Sequence, residues 1–353
     1  MKRWIRNRRK FIFAASFLSI SLFAFMGCSR RGEKLAVIDT AMGTVVQETL
    51  YAADMESGQE AAKEILAEIV RLEQESLSWR EGSSEIAGIN RTAGEEAGAI
   101  LTEQMQVYLE QIWQVSERSQ GALDITVGAV TRLWDLDTWA AADGAVQEEF
   151  REPEMGLLQE VLDNTGYEGV TLEGNKIYLP QGMSLDLGAV GKGIACDRIG
   201  DYLTEQQDIT GAVISVGGSI VTYGKKPAGG SWKVAVMHPR KEGAYLGTLS
   251  LQGEWYVSTS GDYERYVEKD GVRYHHIMNP KTGYPADSGV CSVTILSDSG
   301  LLSDALSTAC FVSGVEEGMQ LAEEFGAEAL FVTKELEIVM TEGMEKYFKA
   351  EKE

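Results

Sequence analysis

Along residues 35–50 apolar side chains alternate with polar ones on either side of Met42-Gly43-Thr44, a pattern that predicts strand, turn and strand. The period then becomes helical: Ala62, Ile65, Leu66, Ile69 and Leu72 form one apolar stripe along residues 58–77. A second helix starts at Thr102, a good N-cap, runs through Met105, Leu109, Ile112 and Val115, and stops at Gly121. Residues 135–155 are polar, acidic and without period, which reads as a surface excursion. Residues 169–172 and 176–179 flank Gly174-Asn175 as the arms of a hairpin do. Short apolar strands follow at 212–216, 232–237, 246–251, 254–259 and 290–296. Helical stretches at 301–312 and 315–325 and a last hairpin near 328–340 close the chain. Strands and helices do not form a regular βαβ series, so the pattern predicts an α+β fold, mostly antiparallel sheets packed with helices. The chain shows no internal repeat and no low-complexity tract.

The N-terminus follows different rules. Lys2, Arg3, Arg6, Arg8, Arg9 and Lys10 precede an uncharged apolar run at 11–26 that ends in Gly27-Cys28. A basic region, a short apolar run and a small residue describe a secretory signal. The run falls short of the roughly 20 residues of a membrane-spanning helix. Cys28 stands where a bacterial lipoprotein signal is cut and the new N-terminal cysteine acylated. The expectation is a signal peptide at 1–27, a tether at 28–34, and an exported remainder held at the outer face of the cytoplasmic membrane through Cys28. Such signals usually carry Leu three places before the cysteine; Phe25 stands there, and an uncleaved anchor is the other reading.

The formal charge is −22, and removal of those basic residues takes the mature chain to −28. Such acidity excludes nucleic acid as a partner, because phosphates require a basic footprint. A phosphorylated ligand would need the local field inverted by a metal or by a few placed cations. Cys196, Cys291 and Cys310 have neither the spacing of a zinc site nor that of a disulfide framework, and read as small buried hydrophobes.

Three stretches carry candidate chemistry. Residues 184–197 run through Asp186, Gly188, Ala189, Gly191, Lys192 and Gly193, read as a strand entering a glycine turn and then a helix. Backbone N–H groups at a helix N-terminus favour anions, and glycines permit close approach. The spacing is not that of a P-loop, and the glycines equally suit a tight turn that needs them for geometry alone. Residues 275–285 place His275 and His276 beside a stiff Asn279-Pro280-Lys281-Thr282-Gly283 turn, and the chain has only three histidines. Histidine matches proton transfer near neutral pH, while packing is the plainer alternative. Asp304 and Thr308 fall on one helical face, a carboxylate and a hydroxyl suited to Mg²⁺ or to ordinary capping. Ser78-Trp79, a strand-like run at 121–128 and the paired glycines of 214–219 are weaker signals.

Taken in order, Met42-Gly-Thr44, Ser78-Trp79, Gly121-Ala-Leu-Asp124, Asp186…Ala189…Lys192, Ser215-Val-Gly-Gly-Ser219, the His276–Pro285 segment and Asp304…Thr308 resemble the ApbE family, over residues 35–345. That family comprises FAD:protein FMN transferases, typically exported lipoproteins. The resemblance implies a flavin site between two subdomains, with a boundary near residue 210. It implies FAD contacts at Met42, Trp79, Ala122, Leu123, Asp124, Asp186, Lys192 and Met278. It further implies Mg²⁺ bound by the Ala189 carbonyl and the side chains of Asp304 and Thr308. Many members carry a second Asp where this chain has Ser307. The implied reaction passes FMN from FAD to a Thr or Ser hydroxyl of another exported protein and releases AMP. His276 is the candidate base, and Lys192 and Mg²⁺ spread the developing charge. FAD hydrolysis to FMN and AMP, or flavin binding without chemistry, are the alternatives.

Overall fold

The computed structural model describes residues 32–142, 144–227 and 229–351. The expected signal peptide and Cys28 lie outside them. Among the described residues no helix is long and apolar enough to cross a membrane.

The chain opens with the expected hairpin, β1 (Glu33–Ala41) and β2 (Thr44–Ala52), so the last residues of the expected tether already belong to a strand. The hairpin turns on Met42 and Gly43, both left-handed with φ of 50° and 66°, the backbone that a two-residue turn needs to match strand twist. Helix α1 (Met55–Arg71) starts earlier than its apolar stripe, because the Asp54 side chain caps it by accepting from the Ser57 N–H. A π-helical turn, Leu72–Leu77, continues it, and α2 (Glu85–Arg91), β3 (Ala99–Ile100) and α3 (Glu103–Arg118) follow.

Two sequence expectations fail next. Residues 121–128 form no strand; alternation without a neighbour to pair with leaves one bridge, Val127 to Ser184. The strand expected before Asp186 reduces to the same bridge. The 135–155 segment lies mostly at the surface, as expected, but is helical in part and buries Leu136 and Phe150. It follows α4 (Gly128–Trp134) as α5 (Leu136–Ala141) and α6 (Gly144–Gln147) and leads into α7 (Met155–Leu162). Trp134, Leu136, Phe150 and Leu158 are buried there with Val130, Val267 and Met278 in an apolar cluster of their own. Each large side chain so buried contributes roughly 1.5–3 kcal/mol. Helices this short give no readable period.

Strands β4 (Thr171–Glu173) and β5 (Lys176–Tyr178) form the expected hairpin, and α8 (Gly191–Glu205) follows the glycine turn. The remainder is mostly strand: β6 (Ile209–Val216), β7 (Ser219–Gly224), β8 (Trp232–Met237), β9 (Tyr245–Leu251), β10 (Trp255–Gly261), and a hairpin of β11 (Tyr266–Lys269) and β12 (Val272–His275). Then come β13 (Val290–Ser297), α9 (Gly300–Ser313), α10 (Val315–Glu324), β14 (Glu328–Thr333), β15 (Ile338–Met340) and β16 (Phe348–Ala350). An eight-stranded antiparallel sheet, ordered β1-β2-β6-β7-β10-β13-β14-β15, has a small β16-β9-β8 sheet stacked on one face. Helices α1, α3, α8, α9 and α10 cover the other face. Strand alternation divides the two cores cleanly. In β14, Ala329 and Phe331 join the helical side, and Leu330 and Val332 join the small sheet. This is the expected α+β class. Residue 210 lies inside β6, hydrogen-bonded between β2 and β7, so no subdomain boundary falls there. The three described cysteines are free and buried.

One core position breaks the apolar rule. Glu48, on the helical face of β2, is 3 % exposed, and neither carboxylate oxygen has a hydrogen-bond partner among the described residues. Burial, and secondarily Asp39, push its pKa up to about 8. The folded state therefore binds this proton more tightly than the unfolded chain does. The associated stability is complete below the unfolded value near 4.5 and is lost as pH rises through about 8. The expected loss is on the order of 4 kcal/mol, at about 1.4 kcal/mol per pKa unit. Urea unfolding at pH 5 and pH 9 checks it: Glu48→Gln should flatten the pH dependence, and an unchanged slope would refute the assignment.

Candidate active site

At one end of the large sheet the β6–β7 turn, the glycine entry to α8, the face of α9 and the turn after β12 surround an open groove of about 890 Å³ that continues into a smaller pocket. That volume suits a ligand of cofactor size. Met42 and Trp79 line the larger part; Ala122, Leu123, Asp124, Ala189, His276, Met278, Asp304 and Thr308 line the smaller; Asp186 and Lys192 line both. Every residue the sequence proposed for catalysis, flavin or metal, Cys28 apart, meets in this continuous space.

The oxygen cluster arises from an unusual helix start. The Gly193 N–H does not close the first turn of α8 onto the Ala189 carbonyl; it donates to Asp304 Oδ2 at 2.8 Å. The Ala189 carbonyl consequently accepts no hydrogen bond among the described residues. Asp304 Oδ1 accepts from Ser219 Oγ at 3.1 Å, and Lys192 Nζ stands 3.8 Å from Oδ2. Gly193 serves helix packing rather than ligand approach: a Cβ there would lie 2.1 Å from the Gly300 carbonyl. Among the described residues no cluster of three or more His, Cys, Asp or Glu side chains can form a metal cage. The donors are instead one carboxylate, one hydroxyl and one carbonyl, a hard-oxygen set that fits Mg²⁺ sharing its shell with water and substrate phosphates. Ser307 takes no part in the groove. Its hydroxyl donates to the Asp304 carbonyl at 2.9 Å and pairs with Ser260 Oγ at 2.8 Å. Ser260, which does line the groove, lies 3.3 Å from Thr308 Oγ1.

The two histidines separate in role. His275 is buried edge-on to Phe311, with Nε2 at 3.0 Å from the Ala286 carbonyl, and serves as packing. His276 faces the pocket. Its Nδ1 lies 3.3 Å from the Arg265 carbonyl, which can only accept, so in the neutral ring Nδ1 carries the hydrogen and Nε2 the lone pair. Desolvation, then Arg265 and Lys192, hold its pKa well below the usual histidine range. The turn beyond it is braced by Trp134 Nε1, which donates to the Gly283 carbonyl at 2.7 Å.

Asp124 acts by ordering its loop. Its oxygens accept from the Thr126 N–H and hydroxyl and the Tyr167 N–H, at 2.6–2.9 Å. Met42 is held in its left-handed conformation by Glu73, from the π-helical turn, which accepts its N–H at 2.8 Å. Such strain gathers at binding sites. Trp79 Nε1 is sealed from solvent with no acceptor among the described residues. The sequence missed two cations that line the groove, Arg80 and Arg265. Arg80 stacks on Trp79, 4.2 Å from the ring centre, and both Arg80 and Arg265 donate to Asp137 at 2.7 Å. Arg80 adjoins a motif; Asp137 and Arg265 arrive only through the tertiary fold and leave no local signal.

Cations, a hard-oxygen cluster and a histidine at one end of a groove of cofactor size make this a candidate enzyme site. The chain belongs to the ApbE family, whose model matches residues 42–331. It is 32% identical to the FAD:protein FMN transferase of Vibrio cholerae over 319 residues, covering 89% of this chain and 92% of that one. With the FAD:protein FMN transferase of Treponema pallidum it shares 32% identity over 311 residues, covering 83% of each. The crystal structure of the ApbE protein from Thermotoga maritima superposes with a TM-score of 0.79 at 30% identity, covering 89% of this chain and 99% of that one. The flavin transferase ApbE from Vibrio cholerae gives 0.75 at 26%, covering 90% and 99%.

Proposed function

We propose that this chain is an enzyme, an FAD:protein FMN transferase, that moves the FMN half of FAD onto a Thr or Ser hydroxyl of an exported protein and releases AMP. The observation that carries the reading is the diversion of the Gly193 N–H to Asp304. It leaves the Ala189 carbonyl, Asp304 and Thr308 in the same pocket as the lone pair of His276. Mg²⁺ held by those three would supply neutralisation of diphosphate charge. Lys192 adds a second positive charge at the same place. Trp79 and Met42 present an aromatic face and an apolar wall for the flavin. His276 Nε2 takes the acceptor hydroxyl proton as its oxygen bonds to the FMN phosphorus and the bond from that phosphorus to the AMP oxygen breaks. The Arg265 carbonyl fixes the ring for that role. Residues 1–28 support export and attachment at Cys28 to the outer face of the cytoplasmic membrane, where the acceptor would also reside.

The test incubates the chain with FAD, Mg²⁺ and the flavin-free acceptor protein of the Vibrio cholerae enzyme, followed by intact-mass and peptide mass spectrometry. One FMN on a single Ser or Thr, with AMP in equal amount and both abolished by EDTA, is the expected result. Free FMN and AMP without an adduct would make the enzyme a hydrolase, and FAD left intact would make it a binder.

A further inference from the structure

We propose that the open edge of β8 is the docking strand for the acceptor, which adds to it as an extended segment and so delivers its hydroxyl into the groove. This rests on the transferase reading and names how its protein substrate is held. Strand β8 is the last of the β16-β9-β8 sheet and, among the described residues, pairs only with β9. The Ser250 N–H of β9 points away from it, to the Tyr347 carbonyl. The N–H groups of Leu249 and Leu251 therefore face β8, where Val234 and Trp232 are their partners. Lys233 and Ala235 must then turn their N–H and C=O groups outward, and neither finds another backbone partner among the described residues.

Unpaired edges invite strand addition, and proteins usually blunt them with charge, proline or cover. Lys233 guards the far end of this edge. Ala235 and Met237 are instead exposed and line the groove, beside Val45. Met237 is 43% exposed and Val45 44%, an apolar rim with no partner of its own. The same groove runs on without a break, past Lys192 and Thr259, into the pocket of His276 and Asp304. A strand paired to Ala235 thus projects alternate side chains toward that pocket, with its neighbours over Met237 and Val45. Backbone pairing supplies affinity, and the groove selects the side chain, the general mode of strand addition. Continuity with the pocket is what favours the acceptor over a second copy of this chain as the occupant.

The experiment uses the chain with FAD, Mg²⁺ and the flavin-free acceptor protein of the Vibrio cholerae enzyme. Hydrogen exchange of the peptide spanning 232–237 should slow at least tenfold when acceptor is added. Ala235→Pro removes only an outward N–H, which an edge strand tolerates. It should raise the KM for acceptor at least tenfold and leave the KM for FAD and the unfolding transition unchanged. Met237→Glu, which keeps the backbone, should raise the acceptor KM several-fold. Wild-type acceptor KM in both variants would overturn the proposal. So would exchange that slows with protein concentration in the absence of acceptor, since a second copy would then close the edge. Absence of transfer by the wild-type chain would overturn the transferase reading itself.

Discussion

Replacement of His276 by alanine should lower FMN transfer by about 10²–10⁴-fold, the usual contribution of a positioned base, with FAD still bound. Asp304, a carboxylate in the same pocket, has both oxygens engaged by Gly193, Ser219 and Lys192. A carboxylate that also ligates a metal is a poor base. The state of His276 makes a second, independent check. A base works unprotonated, and burial with Arg265 and Lys192 lowers its pKa. The active fraction should therefore persist as pH falls through the ordinary imidazole value of about 6.5. Stopped-time assays of kcat from pH 5 to pH 9 should show any acid limb below that value. A limb above it, or an alanine variant that retains more than a tenth of wild-type turnover, would remove His276 from the role of base.

Asp304→Asn should cost on the order of 10³-fold in transfer, the several kcal/mol that charge neutralisation at a phosphoryl centre supplies. Asparagine preserves shape and leaves one oxygen to accept from Gly193 or Ser219, so the α8–α9 contact should survive. What goes is the charge. The discriminating measurement is thermal unfolding with and without Mg²⁺ in the presence of FAD. Wild type should gain stability from the metal and the variant should not. A variant that is destabilised yet keeps its full response to Mg²⁺ would mean that Asp304 is only a cap for the start of α8.

Much of this was legible in the residues. The Met42-Gly43 turn, the N-cap at Thr102, the hairpin at Gly174-Asn175 and the C-terminal helices are local signals, and local chemistry determines them. The order of the motifs located every proposed site residue in one groove. What failed had physical causes. Leu123, Ile125 and Val127 alternate like a strand, but Asp124 folds the segment onto its own Thr126 and onto Tyr167, so no ladder forms. Leu136 and Phe150 belong to a helix too short, and to coil too irregular, to show a period, so their burial leaves no mark in the sequence pattern. The sequence allows Gly193 two roles, ligand approach and turn geometry, and neither is the packing role it takes. Its neighbour is the Gly300 carbonyl, more than a hundred positions away. The bridge from Arg80 through Asp137 to Arg265 is invisible for the same reason: no spacing rule joins residues that only the fold brings together.

The place of the first hairpin in the large sheet bears on how the chain comes to be folded at all. Thr49 of β2 pairs with Val213 of β6, so the hairpin gains its second neighbour only after more than half of the polypeptide has left the ribosome. A lone two-stranded hairpin has little stability in water. Non-local pairing of this kind is slow, because a long loop must close before any contact rewards it. The large sheet therefore cannot form early. The first hairpin waits for its partner strand through more than half of the synthesis of the chain.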